Sequence, residues 1–269
     1  MVVLTGFGWV GLGLVLDHDA GAWRQRAIGL VTWAVVAALL AGESRALRAQ
    51  VLLVIVAATC VEYAASVGLG LYTYRLGNVP LFVPPGHGLV YLSAIAMGRS
   101  KAFADWRRLI VPATLVVAGS WALVGLAGPR HDVLGAVLFL FLVRFCLAGR
   151  APLVYCGAFL LTSYLELLGT GLGSWTWARH DPSGLVGMGN PPSVISGAYC
   201  FLDLFGLAAA PRLLAGVSGL LDRRHRQPEA DEPLVVELGP LLAAGPDDRT
   251  TAPVDPVGVS QPLLVSDLG

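Results

Sequence analysis

Eight stretches of mostly apolar residues follow one another along the first four-fifths of the chain, at 2–16, 27–41, 50–71, 80–98, 109–127, 133–147, 151–172 and 192–221. Short polar breaks separate them. Most are long enough to cross a bilayer as a helix, which needs about 20 apolar residues. The first run is short and begins at Met1, but it has no basic residues before it and no small-residue cleavage site before Asp17. It is expected to remain as the first helix and not to act as a signal peptide. Pro112 falls near the start of the fifth run, where a missing N–H costs least.

A second pattern overlies the first. Residues 62–88 (EYAASVGLGLYTYRLGNVPLFVPPGHG) and 166–199 (ELLGTGLGSWTWARHDPSGLVGMGNPPSVISGAY) share a layout. Glu62 aligns with Glu166, Gly70 with Gly173, and Tyr72-Thr73-Tyr74 with Trp175-Thr176-Trp177. Gly77-Asn78 and Pro80 align with Gly189-Asn190 and Pro192, and the second copy carries a small insertion in its loop. Such recurrence implies internal duplication. The expected fold is therefore all-α: a polytopic membrane bundle of about eight transmembrane helices built from two tandem four-helix repeats, residues 1–108 and 109–226. An even number of spans per repeat keeps both copies in one orientation, with both motif loops on the same side.

Composition agrees with a lipid setting. Hydrophobic residues make up 55% of the chain and charged ones only 13%, more apolar surface than a soluble domain of this length can hide. Formal net charge is zero, which excludes general attraction to nucleic acid. The breaks after runs two, four and six, with the C-terminal segment, hold about ten Lys and Arg against about five in the other breaks. This bias puts the termini in the cytoplasm of a multi-pass cell-membrane protein and turns the motif loops outward. Beyond Arg226 the chain becomes rich in Pro, Asp, Glu and small residues, so residues 227–269 are expected to form a disordered cytoplasmic tail. Its two apolar patches, PLVVELGPLL and QPLLVSDLG, are candidate partner-binding motifs.

The chemistry-bearing candidates lie in and beside the repeated strings. Glu62 and Glu166 each fall late in an apolar helix, where an ionised carboxylate costs about 2.5–3.5 kcal/mol or more unless paired or hydrated. A glutamic acid kept neutral there is a proton donor, and two facing each other could share a proton. The alternative is that each Glu only ties helices together. Tyr72, Tyr74, Trp175 and Trp177 alternate around a threonine with period two, the pattern of a short extended or re-entrant segment with its rings on one side. Their negative faces could shield a cation, although interfacial anchoring also accounts for them. Asn78 and Asn190, next to glycine and close before proline, suit turns or polar contacts to a substrate. His87 begins a helix with Tyr91 one turn on, and the corresponding positions of the second copy are Tyr199 and Asp203. That difference would let one half serve as acid and the other as base. Arg144 and Arg212 are expected to snorkel to an interface. Cys60, Cys146, Cys156 and Cys200 have no CxxC spacing and read as small buried hydrophobes. No P-loop, GxGxxG, HExxH, GxSxG or DDxxD string occurs, so neither a metal nor another cofactor is expected.

The string from Glu62 through GLYTYRLGNVPLFVP resembles the integral membrane carotenoid-biosynthesis proteins of the carotenoid 1,2-hydratase type. In those, a Glu-bearing helix precedes a G-x-Y-x-Y segment and a Gly-x-Pro turn, matched here by Glu62, Gly70, Tyr72, Tyr74 and Pro80. GSWTWARHDPSGLVG is similar to the W-x-Y segments of tandem-repeat membrane lycopene cyclases, whose paired acidic PxEE element is absent here. The resemblance covers about a third of the chain. It implies non-redox chemistry begun by protonation of a double bond in a hydrophobic isoprenoid substrate, giving hydration or cyclisation. Two other classes stand beside it. One is a proton-coupled carrier with a midplane site between duplicated halves; the other is a non-catalytic scaffold acting through the tail.

Overall fold

The computed structural model describes residues 1–225, and the expected tail with its two apolar patches lies outside them. Nine helices and two three-residue strands run in the order α1 (Val2–Asp17), α2 (Ala22–Ala41), α3 (Arg45–Glu62), β1 (Tyr72–Tyr74), α4 (Val83–Arg99), α5 (Lys101–Asp105), α6 (Arg107–Ala127), α7 (Val133–Ala148), α8 (Pro152–Gly171), β2 (Trp175–Trp177) and α9 (Ser196–His225). The eight apolar runs correspond to these helices, with one short addition. Ser100 caps α5 by accepting the Phe103 N–H, turning the basic segment between α4 and α6 into a helical turn. Pro112 is the sixth residue of α6, two residues further in than expected, because the helix begins at Arg107.

Four helical stretches are long and apolar enough to cross a membrane: Ala22–Ala41, Arg45–Gly68, Arg107–Ala127 and Pro152–Gly171. Val2–Asp17, Val133–Ala148 and Ser196–Ala210 are shorter apolar helices. The buried stripes explain how they pack. On α3, Leu47, Val51, Val54, Ile55, Ala58 and Glu62 fall at helical spacing, so Glu62 continues the inward face. On α6, only Thr114, Ala118 and Ala122, four residues apart, are buried, and large side chains such as Val116, Leu123 and Val124 point outward. An apolar outer surface of this kind suits hydrocarbon. Cys60 lies on that surface and is exposed, against the expectation of burial, because it falls off the α3 stripe. Cys146, Cys156 and Cys200 are buried free thiols.

The centre is built by α3, α4, α8 and α9. Helix α4 packs on α8 and on α3, and α9 packs on α3 and α8. Most of α4 is buried, including His87, Leu89, Val90, Tyr91 and Leu92.

Candidate functional site

Helix α3 does not stop at Glu62 but widens into a π-helical turn over Tyr63–Gly68. Such turns often mark functional positions. Gly70 then takes φ +63°, as does Gly173 at +71° before the second strand. This left-handed backbone favours glycine at the same place in both copies. Each reversal aims its strand back across the end of its own helix.

The strands pair antiparallel, with Tyr72 opposite Trp177, Thr73 opposite Thr176 and Tyr74 opposite Trp175. Arg75 N–H to Ser174 O and Ala178 N–H to Leu71 O extend the ladder. Period two puts all four aromatic rings on the buried face and both threonines on the exposed one.

The rings meet the glutamates. The Tyr72 and Tyr74 hydroxyls both donate to Glu62 Oε2 at 2.6 Å, and His87 Nε2 lies 2.8 Å from Glu62 Oε1. Glu166 Oε2 accepts the indole N–H groups of Trp175 and Trp177 at 3.0 and 3.1 Å. Each carboxyl is therefore held by the two aromatics of its own copy. Glu62 has both oxygens engaged, one by a histidine, whereas Glu166 Oε1 takes no hydrogen bond from a described residue. Burial first, then the Glu62 charge, pushes the Tyr72 and Tyr74 hydroxyls far above the ordinary phenol range, so both stay protonated donors.

Both glutamates line one mainly apolar cavity of about 350 Å³, together with His87, Tyr199 and the four strand aromatics. His87 stacks on Tyr199, with ring centroids 5.2 Å apart and planes 19° from parallel. Trp9 and Thr32, joined by a 2.9 Å hydrogen bond, also line it. Among the described residues no three His, Cys, Asp or Glu side chains gather as metal ligands.

Four candidates stand elsewhere. Tyr91 is buried one turn below His87 and donates to Gln50 Oε1 at 3.0 Å, and Asp203 is buried one turn below Tyr199; neither lines the cavity. One helical turn, about 5.4 Å of rise, separates each from its cavity-lining partner. Asn190 accepts the Trp177 N–H at 2.9 Å, and Asn78 donates to Gln25 Oε1 at 3.1 Å. Both asparagines hold loops, and neither lines the cavity. Arg144 is exposed, and exposed Arg212 bonds the Ala208 carbonyl of its own helix.

Two buried carboxylates that lock the site were not singled out from the sequence. Asp17 accepts from Gln25 Nε2 and Ser174 Oγ, each at 2.9 Å, with Arg75 Nη2 at 3.6 Å. Asp132 caps α7 through Gly135 N–H and also accepts from Gly189 N–H, Ser193 N–H and Ser193 Oγ. Asp17 sits at the turn between α1 and α2, and Asp132 at the turn between α6 and α7. An Asp directly before an apolar run is an N-cap signal and could have marked Asp132; the long-range partners of Asp17 have no local signature.

Comparison with protein-family models, with curated proteins and with solved structures returned no match.

Proposed function

We propose that the chain is an integral membrane enzyme that protonates a double bond of an isoprenoid hydrocarbon and completes a hydration or a cyclisation. The observation that carries this reading is the unequal environment of two glutamates lining one apolar cavity. Glu166, free at Oε1, is the acid that delivers the proton. Glu62 with His87 forms the accepting pair. Protonation of an alkene leaves a carbocation, which the faces of Tyr72, Tyr74, Trp175 and Trp177 stabilise. In hydration, water adds to the cation and the His87–Glu62 pair takes the released proton. In cyclisation, a neighbouring double bond attacks the cation, and the same pair removes a proton from the new ring. Either way the acid must be reprotonated before the next turnover.

The size of the cavity fits part of a long molecule, since small-molecule sites commonly span roughly 300–1,000 Å³. Its few polar groups suit a hydrocarbon better than the hydrophilic solute of a proton-coupled carrier. The proposal includes an eight-span arrangement in two tandem repeats, with α1, α2, α3, β1 and α4 answered by α6, α7, α8, β2 and α9. Support comes from the shared order of elements and from the strand pairing centred on Thr73 and Thr176. The termini then face the cytoplasm.

The test is expression of the chain beside a pathway that makes acyclic polyprenyl products, followed by mass analysis. A gain of one water means hydration; unchanged mass with altered retention means cyclisation. Glu166→Gln is expected to abolish the change, general acid catalysis contributing about 10²–10⁴-fold. If the wild-type chain alters no isoprenoid, the reading fails.

A further inference from the structure

In the first half, α1 lies over the seam between α4 and α8. Gly6 approaches the Ser93 side chain of α4 and Gly11 the Tyr164 side chain of α8 so closely that a Cβ at either would collide. Phe7 packs its ring 5.3 Å from that of Tyr164. On this side the lining residues are more covered: Leu89 has no exposed surface, and Leu165 is partly buried.

The second half is built otherwise. Its counterpart helix, α6, packs on α7 and α8, with Gly119 against the Phe139 ring. Among the described residues it makes no comparable packing against the seam between α3 and α9. In the repeat alignment, Val61 and Phe201 take the places of Leu165 and Leu89. Val61 is 53% exposed and Phe201 47% exposed on the outer surface, yet both also line the inner cavity. Phe201 turns toward α7, its ring centroid 5.1 Å from that of Phe141 and 5.0 Å from that of Phe145, so Val61 and Phe201, each from its own helix, form both wall of the chamber and part of the outer surface. The π-helical turn that widens α3 begins two residues beyond Val61, and its Ala65 is another lining residue.

We infer that the uncovered outer surface marked by Val61 of α3 and Phe201 of α9 is a lateral portal through which a linear hydrocarbon chain passes from the bilayer into the cavity. The inference rests on the apolar-substrate reading and narrows it. The substrate is long, one end reaches the glutamates, and the remainder stays in the lipid. A polar solute arriving from water would meet only apolar surface at this opening. A hydrocarbon already dissolved among the acyl chains loses nothing on passing it, because both sides of the portal are equally apolar.

The test uses the full chain in phosphatidylcholine nanodiscs and a linear isoprenoid hydrocarbon ending in an alkyl diazirine. After illumination, adducts are mapped by mass spectrometry. With the portal open, adducts are expected on cavity residues such as Leu134, Trp177 and Ile195. Capping Val61→Cys with a bulky maleimide, in a Cys60→Ser background, is expected to reduce them to background. The same cap on Val56→Cys, an exposed position of α3 outside the cavity lining, should leave them unchanged. Capped Phe201→Cys repeats the test from α9. If cavity adducts persist with either position capped, the portal is wrong while the apolar-substrate reading stands. If the uncapped protein gives no cavity adducts, both fall.

Discussion

Tyr72 and Trp177 face each other across the two-stranded ribbon with ring centroids 4.5 Å apart, yet they send their polar hydrogens to different carboxyls, Tyr72 to Glu62 and Trp177 to Glu166. The pairing ties the two copies together where the chemistry is proposed to occur. It also makes the copies unequal. A phenol O–H binds a carboxylate oxygen at 2.6 Å, whereas an indole N–H stands off at 3.1 Å and can only donate. Tyr in place of Trp at two aligned positions thus gives the two carboxyls different hydrogen-bond donors.

The first prediction concerns the tyrosines. Tyr72→Phe and Tyr74→Phe keep the ring and delete one hydrogen bond to Glu62 each, a bond to a charged acceptor contributing about 1.5–3 kcal/mol. Each variant is expected to lower thermal stability in detergent and to slow turnover. Because both hydroxyls share Oε2, the double variant should lose a different amount from the sum of the single ones, as coupled neighbours do. Strict additivity in a double-mutant cycle would mean that the hydroxyls do not act through one oxygen.

Helix positions, the duplicated string and the Glu–aromatic association were all legible in the sequence, because each has a local or periodic signature. The apolar runs located α1 to α4 and α6 to α9, and period two around Thr73 and Thr176 foretold a short extended segment with its rings on one side. What sequence could not supply was the pairing of β1 with β2 over a separation of about a hundred residues, since nothing local encodes which strand meets which. Asp203 and Tyr91 stay out of the cavity lining for a related reason. Helical spacing puts them on the right face but says nothing of depth. Asp17 carries no local signature, because its Gln25 and Ser174 partners come from other segments of the chain.

Asp132 offers a test of the loop architecture apart from the chemistry. Its carboxylate gathers Gly135, Gly189 and Ser193, fastening the start of α7 to the loop before α9. Asp132→Ala strands several buried donors and is expected to cost about 3 kcal/mol or more, since each unsatisfied buried group costs about 1–3 kcal/mol. Asp132→Asn keeps the shape and one acceptor oxygen, so the loss should be smaller. Thermal unfolding of both variants in the same detergent measures the difference. An Asp132→Ala protein that melts with the wild type would show that the loop is held by other contacts.

Orientation is testable with cysteines at the two ends of the bundle. Ser183 is exposed in the inserted loop after β2, and Ala104 is exposed in α5 beyond the other end of α4. In a Cys60→Ser background, Ser183→Cys in intact cells is expected to react with a membrane-impermeant maleimide. Ala104→Cys should react only after the membrane is opened. The reverse pattern would invert the topology, and equal labelling of both without permeabilisation would remove the membrane-spanning arrangement.

The last prediction is a pH dependence. The folded Tyr72 and Tyr74 hydroxyls titrate far above the ordinary phenol value, through burial and then the Glu62 charge, whereas in the unfolded chain they titrate near about 10. Above that pH the unfolded state releases protons that the folded state keeps, so stability falls as pH rises, by about 1.4 kcal/mol per pH unit for each such group. The contribution is fully present below the unfolded pKa. Absorbance titration of the wild type against the Tyr72→Phe, Tyr74→Phe double variant should therefore show no phenolate from these two residues until the alkaline unfolding transition, where both appear together. The double variant should show two fewer phenolates in that step. Reversible ionisation of both in the folded protein near the ordinary phenol range would mean that they are open to water, and the proposed dry chamber around Glu62 would be untenable.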